Sequence, residues 1–185
     1  MSNQAWVEPF LITGEDGAAL VSSVTPTSIL PLSRKFTLPS YFFDGIGKTL
    51  RIRAAGRIST KSSAPGTLTM DVRFGSSVVF NGGTSVTLAT SASNLTWVLE
   101  AYLTCRTIGS STAASIIGIG TLHTAALSAT VPVMLLPASA PAAVAGSGTG
   151  FDSTAAQTVD LFAAFSVNDA TNSITCHQFS LEAMN

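Results

Sequence analysis

The feature that most constrains this chain is a two-residue alternation over 48–60, KTLRIRAAGRIST. Leu50, Ile52, Ala54, Gly56 and Ile58 fall on one side of an extended segment, and Thr49, Arg51, Arg53, Ala55, Arg57 and Ser59 fall on the other. A helix would scatter both sets around its axis, so the segment reads as a strand with one face in a core. The other face carries three arginines in a row, although charged residues make up only 10% of the chain, against about 25% in ordinary globular sequences. Arg51, Arg53 and Arg57 are therefore candidate contact residues. Either they pair internally with carboxylates placed outward on other strands (Asp71, Glu100, Asp160, Glu182), or they bond carboxylates of a neighbouring subunit, where bidentate geometry fixes register.

The remaining periodic segments have the same character. Over 67–74, Leu68, Met70, Val72 and Phe74 alternate with Thr69, Asp71 and Arg73. Over 95–108, Trp97, Leu99, Ala101, Leu103 and Cys105 alternate with Val98, Glu100, Tyr102, Thr104 and Arg106. Shorter strands are expected at 78–80, 84–88, 115–124 and 131–136, with Gly118 and Gly120 leaving room for close approach. The turn signal at 61–66, KSSAPG, predicts a hairpin between the first two strands, and 168–172 predicts a second between 158–167 and 173–184. In the last strand Thr175, His177, Phe179, Leu181 and Ala183 are expected to share one side. Turn signals every eight to fourteen residues and no helical period define an all-β chain, an antiparallel β-sandwich. Long strands flank shorter ones, which suits a jelly roll of about eight strands.

Residues 1–47 contain Pro9, Pro26, Pro31 and Pro39 and keep no period. They read as an extended N-terminal arm with short strands ahead of a jelly-roll domain at 48–185. Trp6 and Phe10 belong to an apolar cluster in that arm and are candidate subunit contacts, unless the arm is a peripheral strand of the same sandwich.

No Asp, Glu, Lys or Arg occurs in 74–99 or in 107–151. A soluble monomer ordinarily keeps a mixed, charged surface, so this neutrality predicts burial against other subunits. A net charge of −1 offers no electrostatic footprint for nucleic acid. The uncharged stretch 125–146 is broken by Pro132, Pro137 and Pro141, which argues against a membrane helix. The first residues lack a basic segment followed by an apolar run, so synthesis in the cytoplasm is expected, with Cys105 and Cys176 as buried thiols.

TLRIRAAGRIST, TWVLEAYLTCRTIG and NSITCHQFSLEAMN together resemble segments of small jelly-roll proteins encoded among the structural genes of tailed bacteriophages. The resemblance covers 45–185 by pattern and leaves the arm uncovered. It implies a virion component made in the host cytoplasm, commonly a homotrimer, that decorates the head by binding the major capsid protein or other virion proteins. The alternative it leaves is a tail fibre or receptor-binding module. A carbohydrate-active jelly-roll enzyme is the third class.

Motifs for chemistry are sparse. His123 and His177 lie on separate strands with carboxylates scattered singly, a pattern without metal-ligand or acid–base spacing. Glu15-Asp16-Gly17 reads as an ordinary turn rather than a calcium loop. The glycines at 118–120 and 146–150 are not followed by the Lys and Ser or Thr of a phosphate loop, and there is no G-x-S-x-G elbow. The expectation is a non-enzymatic protein with no catalytic residue, cofactor or metal.

Overall fold

The computed structural model describes residues 7–83, 86–138, 146–147 and 150–184, with the side chains at 13, 146 and 147 excepted. In chain order its strands are β1 (Val7–Thr13), β2 (Leu20–Val21), β3 (Thr27–Ser28), β4 (Phe36–Leu38), β5 (Thr49–Ser59), β6 (Thr67–Phe74) and β7 (Ser77–Asn81). They continue as β8 (Val86–Thr87), β9 (Leu95–Thr107), β10 (Ser115–Thr124), β11 (Val133–Leu136), β12 (Gly146–Ser147), β13 (Gln157–Phe165) and β14 (Ser173–Met184). The larger sheet runs β1-β14-β5-β9-β10-β11, with β2 beside β14 and β12 beside β10. The smaller runs β3-β13-β6-β7, with β4 also on β13 and β8 on β6. The two form an antiparallel sandwich.

The pairings nest. β1 pairs with β14, β3 and β4 pair with β13, β5 with β9, and β6 with β7. An antiparallel ribbon folded over on itself produces this order, first strand against last and so inward, and that is the jelly-roll winding. Counting β3 and β4 as one interrupted strand, the four pairs make the expected eight. β10 and β11 then widen the larger sheet on its far side.

The alternation read from the sequence sets the core. β5 buries Leu50, Ile52, Ala54 and Ile58, and β9 beside it buries Trp97, Leu99, Ala101, Leu103 and Cys105. Leu68, Met70, Val72 and Phe74 of β6 face them from the other sheet. Each such large side chain contributes roughly 1.5–3 kcal/mol on leaving water. Gly118 serves the close approach its sequence suggests: a Cβ there would strike the Phe80 ring, which crosses from β7 to rest on β10. Both cysteines are free and buried. Burial pushes the Cys176 thiol up to about 12 and raises that of Cys105, so both act as small apolar side chains.

Two expected hairpins are instead crossovers. β5 lies in the larger sheet and β6 in the smaller, and β13 and β14 are divided the same way. The links at 60–66 and 166–172 run side by side as two arches over one end of the sandwich. Asn172, fully buried, fastens them: Lys61 N donates to its Oδ1 (2.9 Å), while its Nδ2 donates to the carbonyls of Pro65 (3.1 Å) and Val167 (3.2 Å). Asp169 accepts from Thr171 N and Oγ1 and pairs with Lys61 at 3.1 Å. The Thr171 hydroxyl leads in holding that carboxyl down to about 2.

The N-terminal segment is extended, as expected, and from Val7 it is woven into the sandwich as peripheral strands. β1 closes one edge of the larger sheet, and β3 and β4 close one edge of the smaller. Pro9 suits such an edge position, where a missing donor costs least, and Pro26, Pro31 and Pro39 lie between the strands. The facing of the last strand also differs from expectation. Ile174 and Cys176 point inward, then Phe179, Leu181 and Ala183, because a bulge between Cys176 and Gln178 inserts one residue and reverses the parity. Thr175 and His177 thus do not share a side with Phe179.

Candidate functional site

The outer face of the larger sheet carries Arg51, Arg53, Arg57, Glu100 and Glu182, and register aligns residues of that face in rows across the strands. One row reads Pro9, Glu182, Arg51, Tyr102, Ile119 from β1 to β10. The next reads Ile12, Ser180, Arg53, Glu100, Thr121, Leu135 from β1 to β11. Strand neighbours on one face stand close enough for side chains to pair.

The three arginines have different fates. Arg51 forms an ion pair with Glu182, its cross-strand neighbour on β14. Arg57 donates to the Asn94 carbonyl (3.2 Å) and to Thr96 Oγ1 (2.9 Å). Arg53 is exposed and, among the described residues, has no hydrogen-bond or ion-pair partner. Glu100 stands directly opposite it on β9, but the Glu100 carboxylate accepts the Tyr102 hydroxyl at 2.8 Å, and Glu182 is held by Arg51. Asp71 and Asp160, the other expected partners, lie on the smaller sheet and are buried. Asp71 pairs with Arg73 at 3.3 Å, and Asp160 pairs with Lys35 at 2.6 Å and accepts from Ser28.

Phe10, expected at a subunit contact, packs within its own sandwich: it stacks on Phe36 (5.0 Å between centroids) and meets Phe42 edge-on (5.5 Å). Trp6 lies outside the described residues.

Beside Arg53 the face opens into a depression of about 720 Å³. The bulge in β14 shapes it by turning His177 sideways toward the strap that follows β1. Gly17 lets that strap come close, since its N–H donates to the Cys176 carbonyl at 2.7 Å and a Cβ there would run into the Ile29 carbonyl. The strap thereby brings Asp16 to His177, with 2.7 Å between carboxylate and Nδ1. Ala55 and Val98 provide an apolar floor, Ile12 a rim, and Gln178 and Ser180 polar side chains without a hydrogen-bond partner among the described residues. Within the hydrogen bonds of the described residues, Asp16 is the sole partner of the His177 ring.

Sequence reasoning missed this arrangement because Asp16 read as a turn residue and His177 as an isolated histidine. One signal was available. The apolar spacing Ile174, Cys176, Phe179, Leu181 steps by two, three and two, and a three in a two-residue pattern marks a bulge.

Toward β9–β11 the same face exposes three large apolar side chains. Ile119 is 56% exposed, Leu135 62% and Tyr102 39%. Ile119 stands opposite Tyr102, and Leu135 stands opposite Thr121, one diagonal from Ile119, so the three form a continuous patch.

No family model matches the chain, and no curated protein does. Among solved structures it is similar to a winged bean acidic lectin in complex with methyl-alpha-D-galactose, at 11% identity and a TM-score of 0.32, over 100% of this chain and 94% of that one.

Proposed function

We propose that this chain is a non-enzymatic structural subunit of a phage particle, a jelly roll that assembles with copies of itself, as a trimer, and decorates the head by binding other virion proteins. The observation that carries the assembly reading is the Tyr102–Ile119–Leu135 patch, exposed toward the β11 edge of the larger sheet. Three large apolar side chains left in water forfeit several kcal/mol that a second protein surface would recover. The charge-free runs 74–99 and 107–151 support the same reading, because the second contains Ile119 and Leu135. The resemblance of three strands to phage jelly-roll proteins supplies the particle. Mass spectrometry of purified particles tests the assignment: the chain is expected at a copy number that is a multiple of three, with density on the head surface in images of the same particles. Its absence from intact particles would contradict the reading.

A further inference from the structure

We infer that the depression beside Arg53 binds a sugar acid, a polyhydroxylated ring bearing one carboxylate, at a site separate from the apolar assembly patch. Arg53 is the reason for the carboxylate. Its guanidinium is exposed at the depression, and both neighbouring glutamates are already engaged, Glu100 by Tyr102 and Glu182 by Arg51. A planar fork of donors without a protein partner fits a carboxylate bidentately.

The remaining lining limits the ligand to one negative charge. Asp16 and Glu182 both border the depression, so a polyanionic peptide or nucleic acid would meet like charges, while Arg53 is the one arginine or lysine among its described lining residues. What surrounds Arg53 suits hydroxyls. Gln178 offers an amide donor and acceptor, Ser180 a hydroxyl, and Asp16 a carboxylate oriented by His177. Ala55 and Val98 give the C–H face of a ring a flat apolar floor, with Ile12 alongside. A volume of about 720 Å³ accommodates one or two such rings.

The site lies mainly over β14 and β5, with Val98 of β9 in its floor, whereas Tyr102, Ile119 and Leu135 lie over β9–β11. A recognition site of this kind would add a surface-glycan contact to a structural subunit.

Titration of the isotope-labelled full chain with glucuronic acid, galacturonic acid and N-acetylneuraminic acid, followed by NMR, tests the inference. At least one acid is expected to bind with a millimolar Kd, the scale for a ligand of that size, shifting resonances of Ala55, Gln178 and Ser180. The corresponding neutral sugars should bind about tenfold more weakly or less, as should the same acid to Arg53→Gln. Arg53 is exposed and unpartnered, so that variant should unfold with the wild-type midpoint; Gln178→Ala, also exposed, is the second variant and should weaken binding severalfold. Lack of saturable shifts up to about 50 mM, equal binding of neutral sugars, or equal binding of acetate or an acidic dipeptide would each overturn it. None of those results bears on oligomeric state, which tests the proposed function separately.

Discussion

Asp71 and Asn172 are polar residues in the interior of a chain with few charges, and they act in opposite directions. Asp71 is 5% exposed on β6. Burial, the leading cause, raises its carboxyl above the usual range, and the ion pair with Arg73 only partly offsets that. A folded-state pKa above the unfolded one means that Asp71 favours the native state below its unfolded pKa of about 3.9 and loses that contribution as pH rises through the folded value. Asp71→Asn cannot ionise, so its stability relative to wild type should improve as pH is raised from about 4 to 7. Urea midpoints of both proteins at the two pH values measure this. A variant that instead falls behind wild type toward neutrality would mean that the Arg73 pair outweighs burial. On the outer face, which residues faced out was legible in the sequence: the β5 alternation placed Arg51, Arg53 and Arg57 correctly. Which of them would stay free was not, because that depended on Glu182, Tyr102 and Thr96 arriving from two other strands.

Strand existence was read well and strand pairing poorly, for a physical reason. Alternation is local, and β5, β6, β9 and β14 each carry it within a dozen residues. Whether two successive strands turn back as a hairpin or cross to the opposite sheet leaves their inward residues on the core either way, so the pattern is the same. At 60–66 and 166–172 the decision rests on tertiary bonds, above all those of Asn172. Asn172→Ala would leave one N–H and two carbonyls without that partner in a buried corner, and should cost roughly 2–4 kcal/mol. Chemical denaturation gives the value. A cost under about 0.5 kcal/mol, the range of an ordinary surface change, would show that the arches hold without it. The β14 bulge had a sequence signal, the three-residue step from Cys176 to Phe179, whereas the Asp16 strap had none beyond a glycine.

At the scale of the whole molecule, the scarcity of charge and the jelly-roll winding belong together. The winding joins β1 to β14 and β3 and β4 to β13, so from Val7 onward the N-terminal segment completes both sheets as peripheral strands of the same sandwich. The proposed assembly contact then lies on the sheet surface. Over β9–β11 that surface presents Tyr102, Ile119 and Leu135, the last two within 45 consecutive residues without a charged side chain, 107–151. A closed trimer would bury them, each contact covering more than about 1,000 Å². Multi-angle light scattering of the wild-type chain and of Ile119→Asp, at micromolar concentration, tests this most directly. The account predicts three times the 19.0 kDa chain mass for wild type and a folded monomer for the variant, since Ile119 is exposed and a charge there disturbs only the contact. A wild-type monomer, or an oligomer that Ile119→Asp leaves intact, would contradict it.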